Sequence, residues 1–178
     1  MQNPVIRHGL IAGAVMAAMM AATMPLMRRI GFDLGAVIGY TTMVVAFLAV
    51  YFGVRAYRDD VAGGRIGYWK AFGVGMAIVG IATVCYVAMW QILYFGGWAA
   101  DFAEAYTAHV IEEARRGGAS EAQLAAKARE LAEFQQAYRN PLINIAYTLL
   151  EPLPVGLVFA LVSAGILSRR GRAGAPAR

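Results

Sequence analysis

Apolar residues gather along this chain into four long runs, Gly9–Met27, Gly35–Val54, Ala71–Phe95 and Leu142–Leu167, parted by short charged connections and one large polar block. About 20 apolar residues at helical rise suffice to cross a bilayer core, so spans over 9–27, 35–54, 71–95 and 142–167 are predicted. The polar block, 98–140, carries two helical patterns. Phe102, Tyr106 and Val110 (or His109) recur at helical spacing before Gly117–Gly118 breaks the run. Ser120 with Gln123 then fits a capping box, and Leu124, Ala128, Leu131, Phe134 or Gln135, and Tyr138 follow at near-heptad spacing. The expected fold is all-α. It is a four-transmembrane-helix bundle with an extramembrane αα-hairpin between helices 3 and 4, and residues 1–178 form a single integral membrane domain. The flanking span helices are expected to continue into the hairpin, and the basic tail 168–178 to be disordered.

Composition agrees: 60% of residues are apolar and 15% charged, whereas soluble domains run nearer a quarter charged. The net charge of +5 reads as topology, because the basic residues flank the spans instead of lining one soluble face, and no nucleic-acid partner is expected. Cys85 is the only cysteine; it lies within the third span and reads as a small buried apolar residue. The first span is taken as a retained helix and not a cleaved signal peptide, since it outruns the usual apolar core and Arg28–Arg29 follows at once. Fourteen Arg against two Lys, with abundant Ala and Gly, fit GC-rich codons, and the bacterial cytoplasmic (inner) membrane is the expected location.

Four spans put both termini on one side. With the termini in the cytoplasm, that side holds Arg7, Arg55, Arg58, Arg65, Lys70, Arg169, Arg170, Arg172 and Arg178. The opposite side holds Arg28, Arg29, Arg115, Arg116, Lys127, Arg129 and Arg139, of which five sit in the long loop, where charge weighs less. That loop also carries seven carboxylates from Asp101 to Glu133. Cytoplasmic termini and a periplasmic 98–140 hairpin follow, with Arg28–Arg29 the one dissenting pair.

Helices in lipid associate by close packing at small residues. Gly9, Gly13, Ala17 and Ala21 form such a stripe at four-residue spacing; Gly35 and Gly39, and Gly73, Gly75 and Gly80, supply others. Packing inside the bundle is the default for the stripe and a homodimer face the alternative. Tyr68, Trp69, Trp90, Tyr94 and Trp98 fall near the ends of the third span, as interfacial anchors do.

The fourth span differs from the rest. Glu151 lies roughly 13 Å inside its outer boundary at helical rise, and an acid at that depth usually faces the bundle interior and marks function. Pro152 and Pro154 remove backbone donors and should kink or partly unwind the helix. Thr42 and Tyr86 fall at the same depth on other spans and are the candidate partners of Glu151, with Asn144 and Thr148 extending the polar stripe. A static polar clamp is the first reading and an ion or proton site the second. The connection between spans two and three reads GVRAYRDDVAGGRIGYWKAFGVG from Gly53 to Gly75. Arg55 and Arg58 share a helix face, Asp59 follows, and Gly63–Gly64 makes a turn without phosphate-loop spacing. The ordinary collar of a helical hairpin is preferred to contact with anionic lipid or a cytoplasmic partner.

This loop, with Glu151-Pro-Leu-Pro-Val-Gly156 and the apolar run after it, resembles the bacterial DUF4199 family of small membrane proteins. The matching positions are Gly53, Tyr57, Arg58, Asp59, Gly63 and Gly64, then Glu151, Pro154, Val155 and Gly156. The resemblance covers essentially the whole chain except its tail and implies four membrane helices; the family's function is unknown, so it lends no activity.

No nucleophile–base pair, metal-ligand set or cofactor motif is visible, so no enzyme, cofactor or metal is expected. His109 has no second histidine or cysteine nearby, and Glu112, Glu113 and Glu121 read as a solvated face. A non-enzymatic accessory or scaffold-type membrane protein is the first expectation. Its partners would be the lipid bilayer and a second copy or another protein held through the hairpin. The alternative is a small oligomeric transporter or proton/ion conduit centred on Glu151. Orientation is checked by reporter fusions: a fusion at Gly117 should give periplasmic activity and one at Arg172 cytoplasmic activity, and a periplasmic signal at Arg172 would reverse the topology.

Overall fold

A computed structural model describes residues 3–99 and 102–170, with the side chains of Arg28, Arg169 and Arg170 excepted. Among them every regular element is a helix. Helix α1 (Pro4–Thr23) starts where the Asn3 side chain accepts the Val5 N–H, with Pro4 at its first position, the place where a missing donor is harmless. A 3-10 turn and the short α2 (Met27–Ile30) lead to α3 (Phe32–Asp60). Helix α4 runs Tyr68–Phe95, α5 Phe102–Arg116 and α6 Glu121–Tyr138; the fourth apolar run is split into α7 (Pro141–Leu150) and α8 (Pro152–Arg170). Four segments, Pro4–Leu26, Phe32–Asp60, Tyr68–Phe95 and Pro141–Ser168, are long and apolar enough to span a membrane.

The spans form a rhombus. Helices α3 and α4 touch across its short diagonal, α1 packs on both from one side and α8 on both from the other. The core between them is fully buried and apolar, with Phe47, Val50, Val54, Ile78, Val79, Ala160 and Ala164 at its centre. Small residues set the spacing, as expected in lipid. A Cβ at Gly9 would lie 2.7 Å from Cβ of Ile81, and one at Gly13 2.6 Å from Cβ of Cys85. Gly9 and Gly13 of the α1 stripe therefore sit in an internal seam with α4. Trp69 and Trp98 are exposed, as anchors are, but Trp90 is 6% exposed and packs edge-on against Phe102 at 5.2 Å. It is a core residue and not an interfacial anchor.

The polar block departs from expectation at its ends. The span helices do not run on into it: α4 stops at Phe95, where Gly96 and then Gly97 (φ 82°) turn the chain, and α6 stops at Tyr138 before Asn140 caps α7 through the Leu142 N–H. The Ser120–Gln123 capping box is present. Helices α5 and α6 pack on each other, tied by Gln135, which donates to the Ala103 carbonyl at 2.8 Å and to the Thr107 hydroxyl. Of the basic tail, the backbone through Arg170 is helix, so α8 continues past the expected end at Leu167; residues 171–178 lie outside the described residues.

Glycine packing yields a stability contrast. Gly13→Val should lower the thermal midpoint in detergent micelles by the equivalent of about 1–3 kcal/mol, the usual consequence of overpacking, because Cβ of Cys85 sits next to its own backbone. Gly39→Ala, whose new methyl would meet nothing within 4 Å, should leave the midpoint unchanged or higher; a reversed order would show the seam to be elsewhere.

Candidate functional site

The site begins with a helix break. Prolines at 152 and 154 bring no N–H to the carbonyls of Thr148 and Leu150, four residues earlier, and α7 ends at Leu150 with Glu151 as its C-cap. The backbone at Glu151 keeps right-handed helical angles (φ −70°, ψ −55°), so the prolines interrupt the hydrogen-bond ladder without reversing the chain. The two halves of the span pack differently. Helix α8 lies against α3 and α4, whereas α7 packs on α4 and α6 and makes no substantial contact with α3.

That divergence opens a cleft between α3 and α7, of about 280 Å³, with Glu151 in its wall. Six methionines line it (Met16, Met19, Met20, Met24, Met27 and Met43), together with Gly35, Gly39, Tyr40, Thr42, Tyr86, Trp90 and Tyr138. Phe32, Phe102 and Tyr106 stand at its α5 end, with the Phe32 ring 5.5 and 5.6 Å from the other two. Glu151 is exposed to this space, and the Tyr86 hydroxyl donates to its Oε2 at 2.6 Å. Tyr86 thus meets the acid that its depth along the third span pairs with it. Thr42 lines the same cleft, but its hydroxyl donates to the Ile38 carbonyl of its own helix at 2.8 Å; it is a wall residue and not a partner.

Asn144 and Thr148 are 0% and 2% exposed, and they form a second polar cluster one to two turns toward the start of α7. Gln91 of α4 donates to Asn144 Oδ1 at 2.6 Å, Thr148 donates to the Asn144 carbonyl at 2.8 Å, and the Tyr138 hydroxyl lies 3.4 Å from Thr148 Oγ1. The Trp90 indole N–H is buried without a partner among the described residues. Gln91, Tyr138 and the methionine wall escape a reading based on acids and motifs. Gln91 was findable, since an amide inside an apolar span must meet a partner on another helix.

At the other end, Arg58 Nε and Nη2 donate to the two oxygens of Asp59 at 2.7 and 3.1 Å, and Arg55 lies 3.7 Å from Asp59. Gly63 (φ 65°) and Gly64 (φ 86°) hold left-handed backbone that disfavours side chains, and the Gly64 N–H closes onto the Arg58 carbonyl at 2.9 Å. Lys70 stands 5.8 Å over the Tyr57 ring. Arg55, Tyr57, Arg58, Asp59, Gly63 and Gly64 therefore work together as the termination of α3 and the turn into α4.

His109 is less isolated than its sequence neighbours imply. Its Nε2 lies 3.4 Å from Asp33 Oδ1, at the start of α3, and 3.8 Å from Glu113 Oε2, with its ring 5.2 Å from Phe32. These three groups are close enough to share a divalent ion, and they equally suit an ion pair with a protonated imidazole. Both carboxylates are more than half exposed.

A family model described as a protein of unknown function, DUF4199, matches residues 7–169. The chain belongs to the DUF4199 family. No curated protein and no solved structure matches it. The DUF4199 match takes in both the α3–α4 turn and the Glu151 break.

The Gln91–Asn144 pair is open to a double-mutant cycle. Asn144→Leu alone should destabilise the chain by about 1–2 kcal/mol, leaving the Gln91 amide buried and unpaired. Gln91→Leu with Asn144→Leu should recover part of that loss in a micelle unfolding assay; strict additivity would show the bond to carry no coupling.

Proposed function

We propose that this DUF4199 protein is a non-enzymatic, accessory or scaffold-type multipass protein of the bacterial inner membrane, which binds without moving solute across. Both termini are cytoplasmic in this reading, and α5–α6 form a periplasmic hairpin available to a partner. The observation that carries it is that the cleft ends blind. Toward α8 from Glu151, the Gly156 backbone lies against Val79 and Phe47, leaving no room for a Cβ, and Val50, Val54, Ala160, Ala164 and Leu167 continue as fully buried apolar packing. An ion or proton leaving Glu151 in that direction meets two buried hydroxyls, Thr83 and Ser163, and no buried ionisable side chain among the described residues. The cleft holding the acid is lined by phenols, threonine hydroxyls, thioethers and aromatic rings, which suit holding a ligand or a helix more than reacting with one.

Purified protein in proteoliposomes should give proton and cation flux no higher than empty vesicles, for wild type and Glu151→Gln alike. The variant should unfold within about 1 kcal/mol of wild type, because the new amide oxygen still accepts the Tyr86 hydroxyl. Flux that depends on pH or on an ion gradient, and that Glu151→Gln abolishes, would replace this reading with a conduit. A photo-crosslinker at exposed Glu130 of α6 should yield a discrete protein adduct in native membranes; adducts with lipid alone would count against a scaffold.

A further inference from the structure

We propose that the α3–α7 cleft is a binding site for a lipophilic cation, a single positive charge on an apolar or aromatic body, with Glu151 as its counter-ion. The inference deepens the reading of the cleft as a blind holding site, and rests on it.

Charge complementarity is the first argument. A carboxyl at this depth of a membrane span is expensive to leave alone, and such acids face a cavity, a cation or a substrate path. Glu151 faces a cavity, accepts one hydrogen bond from Tyr86 through Oε2, and is approached by no cation among the described residues. The phenol satisfies one oxygen of the carboxylate, and Oε1 has no hydrogen-bond partner among the described residues.

The wall chemistry is the second. A hydrated metal ion or a small polar amine wants several oxygen ligands or water; here the hydroxyls of Thr23, Thr42 and Thr148 already donate to carbonyls of their own helices, and much of the remaining lining is thioethers and aromatic rings. Methionine side chains are flexible and polarizable and adapt to varied apolar shapes, while the faces of tryptophan and tyrosine attract organic cations. Six methionines with Trp90, Tyr40 and Tyr86 around one acid match a ligand that is apolar over most of its surface and charged at one point. The volume, about 280 Å³, is that of a small ligand site.

The third argument is access. Glu151 and Tyr40 are exposed, and α7 has parted from α3, so the cleft is open at the side where the two helices separate. A cation with an apolar body concentrates in the membrane and can enter there, whereas a hydrated ion cannot.

Equilibrium dialysis of radiolabelled benzyltrimethylammonium against the full-length chain in nanodiscs, corrected for empty nanodiscs, tests the site. Saturable binding of one cation per chain is expected. Glu151→Gln should weaken it at least tenfold. Gly39→Leu, which fills the cleft from a position where a Cβ meets nothing within 4 Å, should abolish it with Glu151 intact. Either variant suffices if the other does not fold. Neopentylbenzene, the neutral isostere, should compete poorly; equal competition would mean an apolar crevice only, and undiminished binding by Glu151→Gln would likewise overturn the proposal. No saturable binding with no flux would sink this site and leave the accessory reading standing. Binding accompanied by transfer of the cation across a vesicle membrane would keep the site and sink the blind-cleft reading.

Discussion

Two missing backbone donors set the shape of this molecule. An α-helix in lipid must satisfy its own peptide groups, and Pro152 and Pro154 withdraw two N–H groups within a single turn of the fourth span. The ladder breaks at Glu151. Above the break α7 leans on α4 and α6, and below it α8 completes a tight bundle with α3 and α4. Without the break a continuous helix would follow one line against its neighbours, and the gap that exposes Glu151 between α3 and α7 would have no structural cause. The acid, the cleft and the blind end beneath it are consequences of a single local interruption.

The tight half explains why the loose half is tolerable. Gly9, Gly13, Gly75 and Gly156 each lie where an added Cβ would press on the facing helix, so backbones approach closely where α1, α3, α4 and α8 meet. Close contact supplies the dispersion energy that holds helices together once lipid has removed the hydrophobic incentive. The α7 half is held by other means: the Gln91–Asn144–Thr148–Tyr138 group and the ring contacts of Phe32, Trp90, Phe102 and Tyr106. Polar groups give direction there, and methionines fill space without fixing it. That division suits a protein with a rigid base and an adaptable upper cleft.

Much of this was legible from the chain. Apolar run length located all four spans, because a bilayer constrains length and polarity more than any other solvent does. The capping box at Ser120 and the glycine turn at Gly63–Gly64 were readable because both are local, decided within six residues. Depth counting paired Glu151 with Tyr86, since equal rise brings equal levels together. It failed for Thr42, which had a nearer acceptor in its own helix, the ordinary fate of a threonine hydroxyl. Trp90 was misplaced because distance from a helix end does not reveal which way a ring points; Met20 of α1, Tyr94 and Phe102 pack around it. The Asp33–His109–Glu113 cluster and the methionine wall were out of reach for the same reason. They join residues far apart in the chain, through a crossing that no local pattern encodes.

The two segments that carry the family resemblance divide its work unequally. In the α3–α4 turn, Arg58 and Asp59 satisfy each other, Gly63 and Gly64 supply left-handed backbone, and Lys70 rests over Tyr57. Every charged group that the motif names is engaged within the turn, so its residues are accounted for by folding alone. Around Glu151 the accounting does not close. Pro154 and Gly156 are explained by the break and by contact with Val79 and Phe47, but an acid is not required for either. A leucine at 151 would fill the space with less desolvation, and Tyr86 could turn to a backbone carbonyl freed by the prolines. An acid at a costly depth, oriented by a phenol and open to a cavity, is a feature that stability does not explain.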